Sequence, residues 1–533
     1  MPIQTINQLG TGGIIKDLPS VTLGTNIFTD GNNIRFDNNA IQTITGETIY
    51  PPSLAITPDF GIHWRRLDQG YNIFAKNGNI VRVDSAGSAS SMFTSGDALY
   101  NNSDWQGTTF NGGFAIILNN GMTTPLYCLY GSATAGSSFQ PLPGWNYIGG
   151  LTVTAKVIRS LNFSLVAANL SLTQSGITTY APGTIRVSVQ APTGNIPQVW
   201  QPGTTTDTAD EFELSSTSPV LDMALLRGNM FVYSSDSINI LSIGNISKVT
   251  NYSNSYGILN TDCVCEFDGK HFVVDRNDIY IHGGSGEIQS VSEYRIKDYF
   301  FSNLNKSAID KVKVIKNPFN KEIWINYPKG SSTTCTEALI FNYKNNTWTK
   351  RTLANVTYTF NAPQNVSNTF NYAKQELLFT TNSTQTLITN DAYLMYNGFV
   401  ADYDSQLNIA FGNLQSQNIQ HLILDLRYNP GGSVNTAATL GSMITGFTSG
   451  VFAKLQYNND LQNNNTNYNF SSNLALGGSI NSLNLNKVYV LTSGSSASAS
   501  EMIINSLSAY IDVVQIGTKT VGKSQTSTTI YDS

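Results

Sequence analysis

The chain has 533 residues, 40% hydrophobic and 11% aromatic, enough for two or three buried cores rather than one. Charged residues are only 12% and the formal net charge is -5, so no basic field draws the protein onto nucleic acid, which is excluded as a partner. Four cysteines (Cys128, Cys263, Cys265, Cys335) are too few for a disulfide framework; no metal or organic cofactor site is evident.

Asn, Ser, Thr and Gly stand where charged residues would, a mixture suited to all-β extracellular or virion-type proteins. The opening MPIQTINQLGTGG lacks the basic and apolar regions of a secretory signal, and no run of about 18 apolar residues occurs. The expectation is a chain without a membrane span, residing in a virion or in the cytoplasm of the producing cell.

From the start to about residue 355 the text reads as short strands broken by turns. Residues 70–84 alternate apolar and polar on both sides of Asn77-Gly78, a hairpin signature. Paired-strand blocks follow at 112–121, 227–241, 268–284 and 320–328. A hairpin unit recurring about every 40–50 residues suits propeller blades, with a series of β-sandwich repeats as the competing all-β arrangement. His271 and His282 fall in alternating strand text, where a histidine with satisfied hydrogen bonds is the expected case. The polar stretch 356–390 reads as a join.

After it the pattern changes class. A strand is expected at 392–400 and an amphipathic helix at 402–419, with Leu407, Ala410, Phe411 and Leu414 on one face. A buried strand follows at 421–427, then a helix at 433–445, a strand at 487–493, a helix after Ser498 and a strand at 511–517. Alternating strands and helices make 391–533 an α/β domain. Two of its turns carry chemistry. Asn429-Pro430-Gly431-Gly432 lets backbone approach a ligand, and N–H groups at the following helix start can hold an oxyanion. The run from Ser495 to Glu501 puts serines at a second strand-to-helix turn, where a hydroxyl meets a positive field. Serine-alanine runs are also ordinary helix caps. A nucleophilic serine needs a base. His421, the one histidine of the α/β region, starts a buried strand; Lys523, in Thr520-Val521-Gly522-Lys523, is the alternative if burial lowers its pKa, and otherwise a solvated charge.

The succession LILDLRYNPGGS, SGSSASASE and IGTKTVGKSQ resembles the carboxyl-terminal processing, or tail-specific, serine peptidases, over about residues 391–533. The resemblance implies Ser498 as nucleophile and Lys523, 25 residues on, as its base. It also implies an oxyanion hole from the N–H of Ala499 and one N–H of the Gly431-Gly432 turn. Asp425 and Arg427 are expected to fix the strand and turn. The family's lysine-orienting glutamine has no counterpart at Ser527, while Gln525 lies two residues after the lysine. The family core continues further than Ser533, so the domain is expected to be incomplete. The partner implied is a polypeptide substrate.

Residues 23–47, 268–305 and 338–353 are similar to structural tail proteins of short-tailed phages, which implies a homo-oligomeric ring or contacts with other virion proteins. The expected organisation is therefore a β-rich domain at 1–355, a join at 356–390 and a peptidase domain at 391–533. The alternative function is a phage tail structural protein whose peptidase-like end is inactive or incomplete, or two unrelated genes read as one.

Overall fold

The computed structural model describes residues 12–523, short internal stretches excepted, the longest being 45–53 and 382–390. The chain divides into two compact units, one reaching Thr386 and one starting at Leu387.

Among its described residues the first unit has a two-stranded sheet (Ile34–Asp37 and Ala40–Thr43) followed by a propeller-like ring of six antiparallel sheets, five of four strands and a last one of five. Their first strands are Phe60–Arg66, Gln106–Phe110, Leu151–Leu161, Val220–Leu226, Val264–Phe267 and Lys313–Asn317. Each packs beside the next, and the strand Thr347–Val366 of the last sheet closes the ring onto Phe60–Arg66. The hairpin expected at 70–84 pairs Gln69–Lys76 with Asn79–Val83, and Asn77 adopts the left-handed φ of 49° its tight turn requires. The recurrence is blurred in the sequence because the third sheet has three strands of 11 residues and a long excursion before the fourth. One expectation is corrected. Most of the join placed at 356–390 is strand, since Thr347–Val366 and Thr369–Thr381 form a long hairpin. Tyr358, Phe360 and Ala362 alternate with Thr357, Thr359 and Asn361, a two-faced pattern that a polar composition conceals.

His271 and His282 face each other across paired strands in the fifth sheet, both buried. The contacts form one chain of donors. The Gly284 N–H donates to His282 Nδ1 (3.2 Å), His282 Nε2 to Tyr233 Oη (2.7 Å), Tyr233 Oη to His271 Nδ1 (2.7 Å), and His271 Nε2 to the Leu225 carbonyl (3.0 Å). This order leaves both rings neutral. Burial pushes His271 down to about 4 and His282 to about 3.

The second unit carries a parallel sheet of four strands in sequence order, β1 (Asp391–Met395), β2 (His421–Asp425), β3 (Lys487–Thr492) and β4 (Asp512–Gly517). The connections hold α1 (Asp404–Gln415), α2 (Val434–Thr445) and α3 (Ala499–Leu507). Because every step moves the same way across the sheet, right-handed crossovers put all three helices on one face. Leu422, Leu424, Val488 and Val490 are buried with Leu407 and Phe411 of α1 in one core, while Ile423 and Tyr489 on the other face stay half-buried. The unbroken apolar text of β2 and β3 thus covers alternating burial. Among the described residues no helix is long and apolar enough to cross a membrane.

Candidate active site

Three turns gather at the carboxyl ends of adjacent parallel strands, after β2, β3 and β4, the edge of an open α/β sheet where ligands bind. His421 is the first residue of β2 and lies at the opposite edge, roughly 13 Å away along the strand at about 3.3 Å per residue. It cannot serve a serine after β3, and a triad through His421 is ruled out by the strand direction.

The serines of the run separate by geometry. Ser496 and Ser500 are fully buried; their hydroxyls donate to the carbonyls of Leu426 (2.7 Å) and Asn429 (2.9 Å), fastening this turn to the one after β2. The Ser493 hydroxyl does the same to the Arg427 carbonyl. Ser498 is half-buried and caps α3 with φ 58° and ψ -114°, a conformation that costs a non-glycine residue about 1–3 kcal/mol. It is held there by its own N–H, which donates to Glu501 Oε2 at 2.8 Å.

Glu501 joins two turns. Its Oε2 also accepts the Lys523 N–H at 2.9 Å and its Oε1 accepts the Gly522 N–H, while the Val521 N–H donates to the Ser496 carbonyl at 3.0 Å. Burial raises the Glu501 pKa, and bonds from the Thr520 side chain and the Gly522, Ser498 and Lys523 N–H groups outweigh it, so the carboxyl sits below its ordinary value. The Lys523 side chain is exposed, so the burial expected of a lysine base is not found among the described residues. Gln525 and Ser527 lie outside the described residues.

The turn after β2 presses directly on Ser498. A Cβ on Gly431 (φ 103°) would stand 2.7 Å from the Ser498 Cβ and 2.9 Å from the Ala499 nitrogen; one on Gly432 (φ 140°) would stand 2.1 Å from the Phe399 carbonyl oxygen. Both positions therefore require glycine. Asn429, fully buried, organises the turn. Its Oδ1 accepts the Gly431 N–H (2.9 Å), its Nδ2 donates to the Tyr396 carbonyl (2.8 Å), and its own carbonyl takes the Ala497 N–H (3.2 Å) as well as the Ser500 hydroxyl. With Gly431 committed, Gly432 and Ala499 supply the N–H groups without a carbonyl partner among the described residues. Asp425 grips Arg427 through both oxygens (3.0 and 2.7 Å) and accepts the Tyr393 hydroxyl, which locks the end of β2.

Residues 390–531 match the family model described as peptidase family S41. The C-terminal domain is of the S41 type. The "Probable CtpA-like serine protease" of Staphylococcus epidermidis is 31% identical over 140 residues, 26% of this chain and 26% of that protein. This chain thus spans about a quarter of the length of that curated relative. A crystal structure from Bacteroides fragilis NCTC 9343, described as of the S41 protease type, is 29% identical, covering 38% of this chain and 48% of that one, at a TM-score of 0.24. A photosystem II D1 C-terminal processing protease is 14% identical, covering 40% and 61%, at 0.21. The family model covers residues 390–531 only, and the tail-protein resemblance of the N-terminal text is not supported by the comparisons.

Glu501 and Asn429 hold the site together, roles that the sequence does not assign them beyond membership of the two turns. A signal for Glu501 was present, since Ser498-x-x-Glu501 has capping-box spacing. None marked Asn429 apart from the glycines beside it.

Proposed function

We propose that the S41 domain is a serine endopeptidase acting on polypeptide through Ser498 and Lys523. The observation that carries this is the Glu501 carboxylate, which binds the backbone of both residues and so brings the turns after β3 and β4 together. In the proposed reaction Ser498 Oγ attacks the scissile carbonyl carbon and its proton passes to the neutral Lys523 amine. The N–H groups of Ala499 and Gly432 receive the charge that develops on the carbonyl oxygen. Collapse of the tetrahedral intermediate expels the amine, which takes the proton from Lys523. Water then attacks the acyl-enzyme, with Lys523 as base again, and frees Ser498. The strained φ of Ser498 holds its hydroxyl at the helix start and beside the Gly431-Gly432 backbone.

The test is cleavage of an unstructured polypeptide from about pH 6 to 10, compared with Ser498→Ala and Lys523→Met. A wild-type protein that cleaves no better than Ser498→Ala over that range refutes the proposal.

A further inference from the structure

The ring of the first unit encloses a cavity of about 480 Å³ at the end of its central channel where several first strands begin. Asp262, Lys313 and Tyr358 of its lining belong to a network of groups that satisfy one another. Arg159 meets Asp222 at 2.6 Å and Asp262 at 3.6 Å, Lys313 meets Asp262 at 3.0 Å, and the Tyr358 hydroxyl donates to Asp262 at 3.2 Å. Other groups of the lining differ. Lys156, laid across the bare backbone of Gly121, and Asp104 both line the cavity, and neither has an ion-pair partner among the described residues. Asp59, which also lines the cavity, accepts the Lys76 ammonium on Oδ2 at 2.6 Å, while its Oδ1 is buried without a hydrogen-bond partner among the described residues.

We propose that this cavity binds a small zwitterion, an amino acid or short peptide with both termini free, its carboxylate on Lys156 and its ammonium between Asp59 and Asp104. The other charges of the lining pair with one another, Lys311 with Asp310 at 2.7 Å and Lys313 with Asp262 at 3.0 Å, so an anion alone would meet Asp104 and the unbonded Asp59 oxygen and a cation alone would meet Lys156. A sugar would want an exposed ring to stack on, but Trp105 is only 4% exposed and spends its indole N–H on the Asn77 carbonyl. A concave cavity with few convergent polar groups is the usual form of a small-ligand site. Burial raises the Asp59 carboxyl even with Lys76 upon it, and an ammonium reaching Oδ1 would supply the missing partner. This proposal is independent of whether the S41 domain cleaves.

The experiment uses the full chain carrying Ser498→Ala, so that no probe is consumed, and titrates L-alanyl-L-alanine by calorimetry. The N-acetylated and C-amidated dipeptides should each bind roughly two- to fivefold more weakly, the loss expected for one partly exposed charge pair. Lys156→Met should remove the preference for the free carboxylate, and Asp59→Asn the preference for the free ammonium, with melting temperatures confirming that both variants are folded. No binding of the free dipeptide, equal binding of the capped forms, or binding that Lys156→Met leaves untouched (the result if the peptide sits only in the S41 domain) would each overturn it.

Discussion

Replacing Glu501 by Gln tests the clamp between the two turns with little change in shape. The carboxylate receives N–H groups on both oxygens, Ser498 and Lys523 on one and Gly522 on the other. A carboxamide has one acceptor oxygen and one donor nitrogen, so whichever way it turns at least one backbone N–H faces another donor. The least costly orientation keeps Ser498 and Lys523 and loses Gly522, a charge-assisted bond worth about 1.5–3 kcal/mol. If that energy holds the Lys523 turn in place, amide exchange at Gly522 should quicken by about 10- to 100-fold. The rate constant kcat/KM for polypeptide cleavage should fall by a similar factor. Hydrogen–deuterium exchange reads the first effect whether or not the protein cleaves. Acid should reproduce it. The Glu501 carboxyl is held below its ordinary value in the fold, so its contribution is present above the unfolded pKa and is lost as pH falls through the lowered one. Wild-type exchange at Gly522 and Lys523 in Glu501→Gln would refute the reasoning.

Gly431→Ala should abolish cleavage at Ser498, because the added carbon lies 2.7 Å from both the Ala497 carbonyl oxygen and the Ser498 Cβ; activity above about a tenth of wild type would show that the turns can part cheaply. The His271–Tyr233–His282 relay should make the ring acid-sensitive. Both rings have folded pKa values below 6.5, so the unfolded chain binds protons first and stability falls as pH drops from 6.5 towards 4, by up to about 3 kcal/mol per ring. A calorimetric melting temperature whose pH slope is the same in His271→Gln/His282→Gln would refute that. Phe411→Ala, which empties a fully buried site beneath the S41 sheet, should destabilise that unit by about 3–5 kcal/mol in denaturant unfolding, and a loss under 1 kcal/mol would mean the core refills.

The α/β half was legible because its signals are local. Leu407 and Phe411 share a helix face through spacing alone, and β2 and β3 declare themselves by apolar runs between turn residues. The strand Thr347–Val366 was not, because its polar composition hides the hairpin it forms with Thr369–Thr381 and its closure of the ring onto Phe60–Arg66 is long-range. The choice of serine shows the same limit more sharply. Ser496, Ser498 and Ser500 are equivalent in composition, and spacing to Lys523 singles out one of them only through family resemblance. In the structure the distinction is physical. Two hydroxyls are spent on carbonyls of the neighbouring turn, and they sit on a helix start whose other partners come from β2 and β4. Those bonds fix the backbone on either side of Ser498 and leave it the residue that must absorb the strain. The positive φ at a non-glycine position thus lies between two anchored serines and is held by the Glu501 carboxylate as well. It follows that Ser496→Ala and Ser500→Ala should relax Ser498 and lower its reactivity without touching the nucleophile, a coupling that no inspection of single residues in the sequence would reveal.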